Sequence, residues 1–112
     1  MILQTNINGE ALIAGILVKE ANLTVSDKLK EEMAALIDAG NKYIVVDFEL
    51  VIYVDSSFLG ALVSSLKYAL ANKAEIVVAG LNKDIFGLFQ LIRLDKAFTI
   101  FDTSESAAAR TK

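Results

Sequence analysis

The chain of 112 residues contains neither cysteine nor histidine. Those absences remove disulfides, thiol nucleophiles, imidazole general bases and most zinc or haem sites, leaving hydroxyl and carboxylate groups as the reactive inventory. No catalytic residue, metal site or cofactor is expected. Proline is also missing, and no repeat, linker or low-complexity segment interrupts the sequence. Basic residues are few, with eleven Lys and Arg against fourteen Asp and Glu and a formal charge of −3. They are scattered, whereas phosphate binding needs a concentrated basic patch, so nucleic acid is not an expected partner. Long apolar runs are lacking as well. Charge-free stretches such as Ala11 to Val18 and Ile85 to Ile92 fall far short of the roughly 20 residues that span a bilayer. The opening Met1-Ile2-Leu3-Gln4-Thr5 has no positive end of the kind a signal peptide carries. A soluble, cytoplasmic protein without membrane insertion is expected.

What is present describes a packed globule. The composition is 54% hydrophobic and 22% charged, which fits one domain covering residues 1–112 with a single core. Ile2 to Ile7 and Ala11 to Val18 read as two strands about the turn dipeptide Asn8-Gly9. Val25, Leu29, Met33, Leu36 and Ile37 then recur at helical spacing. Thr24 with Asp27 offers an N-terminal cap, and Gly40 stands where a left-handed residue closes a helix running from about Val25 to Ala39. Tyr43 to Phe48 is a β-branched run suited to burial on both faces of a parallel sheet.

Further along, Leu59, Leu62, Val63, Leu66, Ala69 and Leu70 form an apolar stripe on a second helix that ends near Ala71, before Asn72-Lys73. Glu75 to Gly80 is the next strand. Asn82 can cap a helix carrying Ile85, Leu88, Phe89 and Ile92 on one side, Phe98 to Phe101 is a short last strand, and Thr103 can cap a terminal helix through Ala109. The order β-β-α-β-α-β-α-β-α predicts an α/β domain with a mixed sheet whose parallel core strands are joined through helices.

At the centre lies Asp55-Ser56-Ser57, where a strand hands over to a helix. Asp and Ser are favoured capping residues, so capping alone accounts for the run. A helix N-terminus also tolerates phosphate, because its unpaired N–H groups and partial positive charge favour an anion. Opposite the apolar stripe fall Ser57, Ala61, Ser64 and Tyr68 beside Gly60, with Lys67 nearby. This face of small side chains suits close approach by another protein.

The stretch Asp55-Ser56-Ser57-Phe58-Leu59-Gly60, preceded by Ile44-Val45-Val46-Asp47 and Val51-Ile52-Tyr53-Val54, resembles the Asp-Ser-Ser-Gly-Leu-Gly signature of STAS-domain anti-sigma-factor antagonists. Leu94-Asp95-Lys96-Ala97-Phe98-Thr99-Ile100, with Glu105 and Ala107 beyond, is similar to that family's last strand and final helix. The resemblance implies a single STAS-like domain that works by partner switching and is not an enzyme. The unphosphorylated domain would bind an anti-sigma factor that is also a serine kinase, phosphorylation of Ser56 would break the complex, and a PP2C-type phosphatase would reset it. Asp55 and Ser57 match the flanking motif positions. Phe58 stands where glycine is usual and is expected either to anchor a specific partner or to obstruct a kinase. Asn22 stands near the partner surface where the family often has a carboxylate. Taken with the small-residue face of the helix, the expected binding set is Asn22, Asp55, Ser57, Phe58, Gly60, Ala61 and Ser64.

Other classes fit less well. A phosphoreceiver using Asp47 would need an acidic pair after the first strand, where Asn8-Gly9 stands instead, and a hydrolase using Ser56 would have no histidine as its base. A STAS scaffold subunit in a stress-sensing or transport-associated assembly, never phosphorylated, is the remaining alternative.

Overall fold

The computed structural model describes residues 1–110. A sheet of five strands runs in the order β1 (Leu3–Asn8), β2 (Ala11–Ile16), β4 (Tyr43–Asp47), β6 (Glu75–Ala79) and β7 (Ile100–Phe101). The β1–β2 hairpin is antiparallel, and the pairs β2–β4, β4–β6 and β6–β7 are parallel. The sheet is therefore mixed with a parallel core, and Tyr43–Asp47 occupies its centre as the β-branched run predicted. Helices α1 (Leu23–Asp38), α2 (Ser56–Ala71) and α3 (Lys83–Leu91) supply the apolar layer on one face. The short α4 (Leu94–Ala97) follows α3, and α5 (Ser104–Ala109) covers the opposite face. Among the described residues no helix is long and apolar enough to cross a membrane.

The alternation along β4 explains the two-sided burial. Ile44 and Val46 pack with α1 and α2 residues such as Leu29, Met33 and Leu62, whereas Tyr43 and Val45 pack with Ala107 and Ala108 of α5. Period-two side chains necessarily divide a central strand between two layers. Tyr43 also donates its hydroxyl to the Ala107 carbonyl at 2.8 Å, which pins α5 to the sheet.

Several local expectations need correction. The hairpin loop is Gly9-Glu10, since Asn8 still pairs with Ala11; Gly9 has φ 65°, the positive value that the first loop residue of a type II′ turn requires. The first helix starts at Leu23 and is capped by Asn22, whose side-chain oxygen accepts from the Thr24 N–H at 3.0 Å. Thr24 instead gives its own hydroxyl to Asn22 at 2.6 Å. Gly40 does follow the helix with φ 99°. The last strand is only Ile100–Phe101, because Phe98 leaves the strand path to fill the core against Phe89, with ring centroids 6.3 Å apart. Leu70 and Ile92, read as core residues, are 61% and 46% exposed. Ile92 lies past the end of α3 as its C-cap, and the buried arc of α2 is turned away from Leu70 towards α1.

A second, two-stranded parallel sheet has no counterpart in the sequence reading. It joins β3 (Glu20–Ala21) to β5 (Tyr53–Val54), pairing Ala21 with Val54. The Asp55 N–H continues this ladder to the Ala21 carbonyl at 3.1 Å. Each short strand leads directly into a capped helix, so the N-termini of α1 and α2 are set side by side.

Candidate functional site

Asp55 is the N-cap of α2. Its Oδ1 accepts from the Phe58 N–H at 2.9 Å, satisfying one donor of the first helical turn. Its Oδ2 accepts from the Leu23 N–H of α1, also at 2.9 Å. One carboxylate thus caps two helices, and its charge lies against the positive ends of both macrodipoles. Ser56 follows as the first residue of α2, exposed, while Ser57 is half-buried behind it. The Ser56 side chain is therefore spare: the capping that the Asp-Ser-Ser run could supply is done by Asp55.

Along α2, Gly60 and Ser64 are exposed, and a Cβ added at Gly60 would meet open space. With Ser56 they form a line of small groups on the outer surface. Two residues of the expected binding set are elsewhere. Ala61 is 4% exposed and Phe58 is fully buried. Ala61 belongs to a line with Ser65 and Ala69 on the buried arc of α2, and Ser65 returns its hydroxyl to the Ala61 carbonyl at 3.0 Å. The small side chains do permit a close helix approach, but it is α1 that approaches. Tyr68 is exposed, and its hydroxyl donates to the Asp38 carboxylate at the end of α1. That hydrogen bond raises the Tyr68 phenol above its ordinary pKa.

The Phe58 ring lies in the core and not on the surface around Ser56. It stands edge-on to Phe48 at 6.4 Å, and Phe48 meets Phe89 in the same manner at 6.1 Å. At the third position of the helix the side chain points back beneath the first turn, into the gap between α2 and the sheet. Asn22 is half-buried with its side-chain oxygen committed to the α1 cap.

The structure adds side chains from outside the expected binding set. Leu23, Ile52 and Tyr53 are 68%, 63% and 52% exposed, an uncommon density of apolar surface close to one helix end. Leu23 is tied to Asp55 through its N–H, and Ile52 and Tyr53 immediately precede Val54-Asp55. The Ile52 and Tyr53 N–H groups bond the Lys19 carbonyl at 2.8 and 3.2 Å, and Asn82 reaches back to the Val51 and Ile52 carbonyls at 3.4 Å. The backbone under Ile52 and Tyr53 is thus held by the Lys19 carbonyl on one side and the Asn82 side chain on the other. The sequence signal of this apolar surface was slight: three apolar residues outside any periodic element.

The same fold occurs in known proteins. An anti-sigma factor antagonist from Mycobacterium paratuberculosis matches with a TM-score of 0.84 and 17% identity, over 96% of this chain and 91% of that one. The Bacillus cell fate determinant SpoIIAA in its phosphorylated form matches with a TM-score of 0.74 and 18% identity, over 98% and 99%. A sulfate transporter family protein from Wolinella succinogenes matches with a TM-score of 0.81 and 18% identity, over 94% and 87%. The family model of the STAS domain matches residues 17–107, which include the Asp55-Ser56-Ser57 run and every helix through the start of α5, and the chain therefore belongs to the STAS domain family.

Proposed function

We propose that this chain is an anti-sigma-factor antagonist that acts by partner switching, with Ser56 as its phosphoacceptor. The observation that carries the reading is the division of labour between neighbours. Asp55 spends both oxygens on capping, so Ser56 is left exposed at the helix start with its hydroxyl free of structural duty. In the unphosphorylated form, an anti-sigma factor with serine kinase activity covers Ser56, Ser57, Gly60 and Ser64 together with the apolar Leu23, Ile52 and Tyr53. Phosphate at Ser56 adds a charge of about −2. Within the domain that charge meets helix N–H donors and is tolerated. At the interface it must be desolvated or face the partner's groups, where the penalty shifts affinity by orders of magnitude. A PP2C-type phosphatase then restores the binding form.

The test is phosphorylation by the cognate kinase with ATP, read by mass spectrometry of the intact chain and its peptides. One phosphate on Ser56, absent in Ser56→Ala, is the expected result. Labelling that survives Ser56→Ala and disappears in Ser57→Ala would overturn the assignment. A second reading, a STAS scaffold subunit that is never phosphorylated, is kept because the same fold occurs in a sulfate transporter family protein.

A further inference from the structure

We propose that the chain forms a symmetric dimer in which β1 pairs antiparallel with β1 of a second copy, about a twofold axis at Asn6. The two edges of the main sheet are unlike. β7 has two residues, too few to template another strand, whereas β1 has six. Sheet edges are usually blunted by lysine, proline, a bulge or shortness. From Met1 to Gly9 there is no charged side chain and no proline, and the β1–β2 register runs unbroken from Leu3↔Ile16 to Asn8↔Ala11.

The hydrogen-bond parity identifies the outward groups. The Leu17 N–H bonds the Ile2 carbonyl at 2.8 Å, which sets the parity: the even residues after Ile2 direct their N–H and C=O groups to β2. The odd residues face outward, as the Leu3 N–H does in donating to Glu32 Oε1 at 3.0 Å. Glu32 also takes the Ile2 N–H, so the start of the edge is already occupied. The turn begins at Gly9. Glu32 takes the Leu3 N–H but leaves its carbonyl, so the residues with both outward N–H and C=O open are Thr5 and Ile7.

That window selects a second copy as its occupant. With the axis at Asn6, Thr5 pairs with Ile7 of the second copy and Ile7 with its Thr5, each pair exchanging both bonds. Both outward groups of Thr5 and of Ile7 are used, and Glu32 keeps the Leu3 N–H. An axis at Thr5 would instead require the Leu3 N–H that Glu32 holds. Side chains agree with the self-pairing. Ile7, 68% exposed, lies against a β-branched Thr5. On the other face Asn6 meets its own copy and Gln4 meets Asn8, and an amide facing an amide can match donor to acceptor by flipping, as two like charges cannot. Two chains of charge −3 thereby meet along an uncharged strand. Because both β1 edges are consumed and only the short β7 edges remain, assembly closes at two copies.

The full chain should show a monomer–dimer equilibrium by sedimentation at concentrations up to about 1 mM, the weak end of specific association. Thr5→Pro, which removes only an outward N–H, and Ile7→Lys should each shift it to monomer with circular dichroism and melting temperature retained. The absence of native cysteine permits a register test. Asn6→Cys places two thiols at a non-hydrogen-bonded pair, close enough to bridge, and should oxidise rapidly to a covalent dimer. Gln4→Cys and Asn8→Cys should each crosslink poorly alone and well when mixed. A monomer throughout the range, a dimer indifferent to Thr5→Pro and Ile7→Lys, or Gln4→Cys crosslinking as readily as Asn6→Cys would each overturn the proposal.

Discussion

Asp55 and Leu23 stand 32 residues apart in the chain, yet the carboxylate of one accepts the first helical N–H of the other at 2.9 Å. Asp55 simultaneously holds the Phe58 N–H. Asn and Asp are nearly interchangeable as ordinary N-caps, but Asp55→Asn must turn an NH2 group towards one of two N–H donors. We expect a loss of about 1–3 kcal/mol in urea denaturation, the range for a charged hydrogen bond replaced by an unsatisfied donor. A loss within about 0.5 kcal/mol, typical of an unconstrained surface change, would show that the bridge contributes little.

Ser56 makes the opposite prediction. As the first helical residue behind an established cap, it should accept Ala with a stability change within about 0.5 kcal/mol. Ser56→Asp should likewise leave the melting temperature nearly unchanged, attraction to the helix end being offset by the neighbouring Asp55 charge. Its binding to the anti-sigma factor should nevertheless fall strongly, while Ser56→Ala still binds. Calorimetry giving equal affinity for Ser56→Asp and the parent would favour the scaffold reading.

Phe58 separates a core position from a docking position. Phe58→Ala should lower stability by about 3–5 kcal/mol, the usual effect of deleting a buried aromatic ring. Phe58→Leu should restore most of it and retain binding. If Phe58→Leu folded normally but lost the partner, the ring would have to be part of the interface after all.

Tyr43 gives a pH dependence with a defined sign. Burial raises its phenol above the ordinary tyrosine pKa; Arg110, over its ring at 5.5 Å, opposes the shift and Glu75 adds to it. A folded pKa above the unfolded one means that the folded state holds the proton more tightly. The contribution is complete below about pH 10, the unfolded value, and is lost as pH rises through the folded value. Tyr43→Phe should cost about 1 kcal/mol at neutral pH through the lost bond to Ala107. It should also remove its share of the alkaline decline, which parallel denaturant titrations at neutral and alkaline pH would reveal.

How much of this was legible in the sequence depends on the range of the interaction involved. The run Tyr43 to Asp47 announced a central strand because β-branched residues without alternation suit burial on both sides, and neighbouring Glu75–Ala79 followed the same rule. Asp55-Ser56-Ser57 marked a helix start because capping acts within three residues, and Thr103 marked another for the same reason. The paired strands Glu20–Ala21 and Tyr53–Val54 left no such trace, since two residues carry no period and their pairing is decided by backbone groups brought together from distant segments. The face of α2 was also beyond local reading. A stripe at helical spacing says that one side is apolar, but its extent depends on what packs there: Ala61, placed by spacing on the outer face with Ser57, Ser64 and Tyr68, lies instead with Ser65 and Ala69 on the buried arc of α2, which packs against α1. Phe58 shows the same limit: its place after two serines suggested the site, and only the tertiary fold decided that its ring fills the core while the Ser56 hydroxyl stays outside.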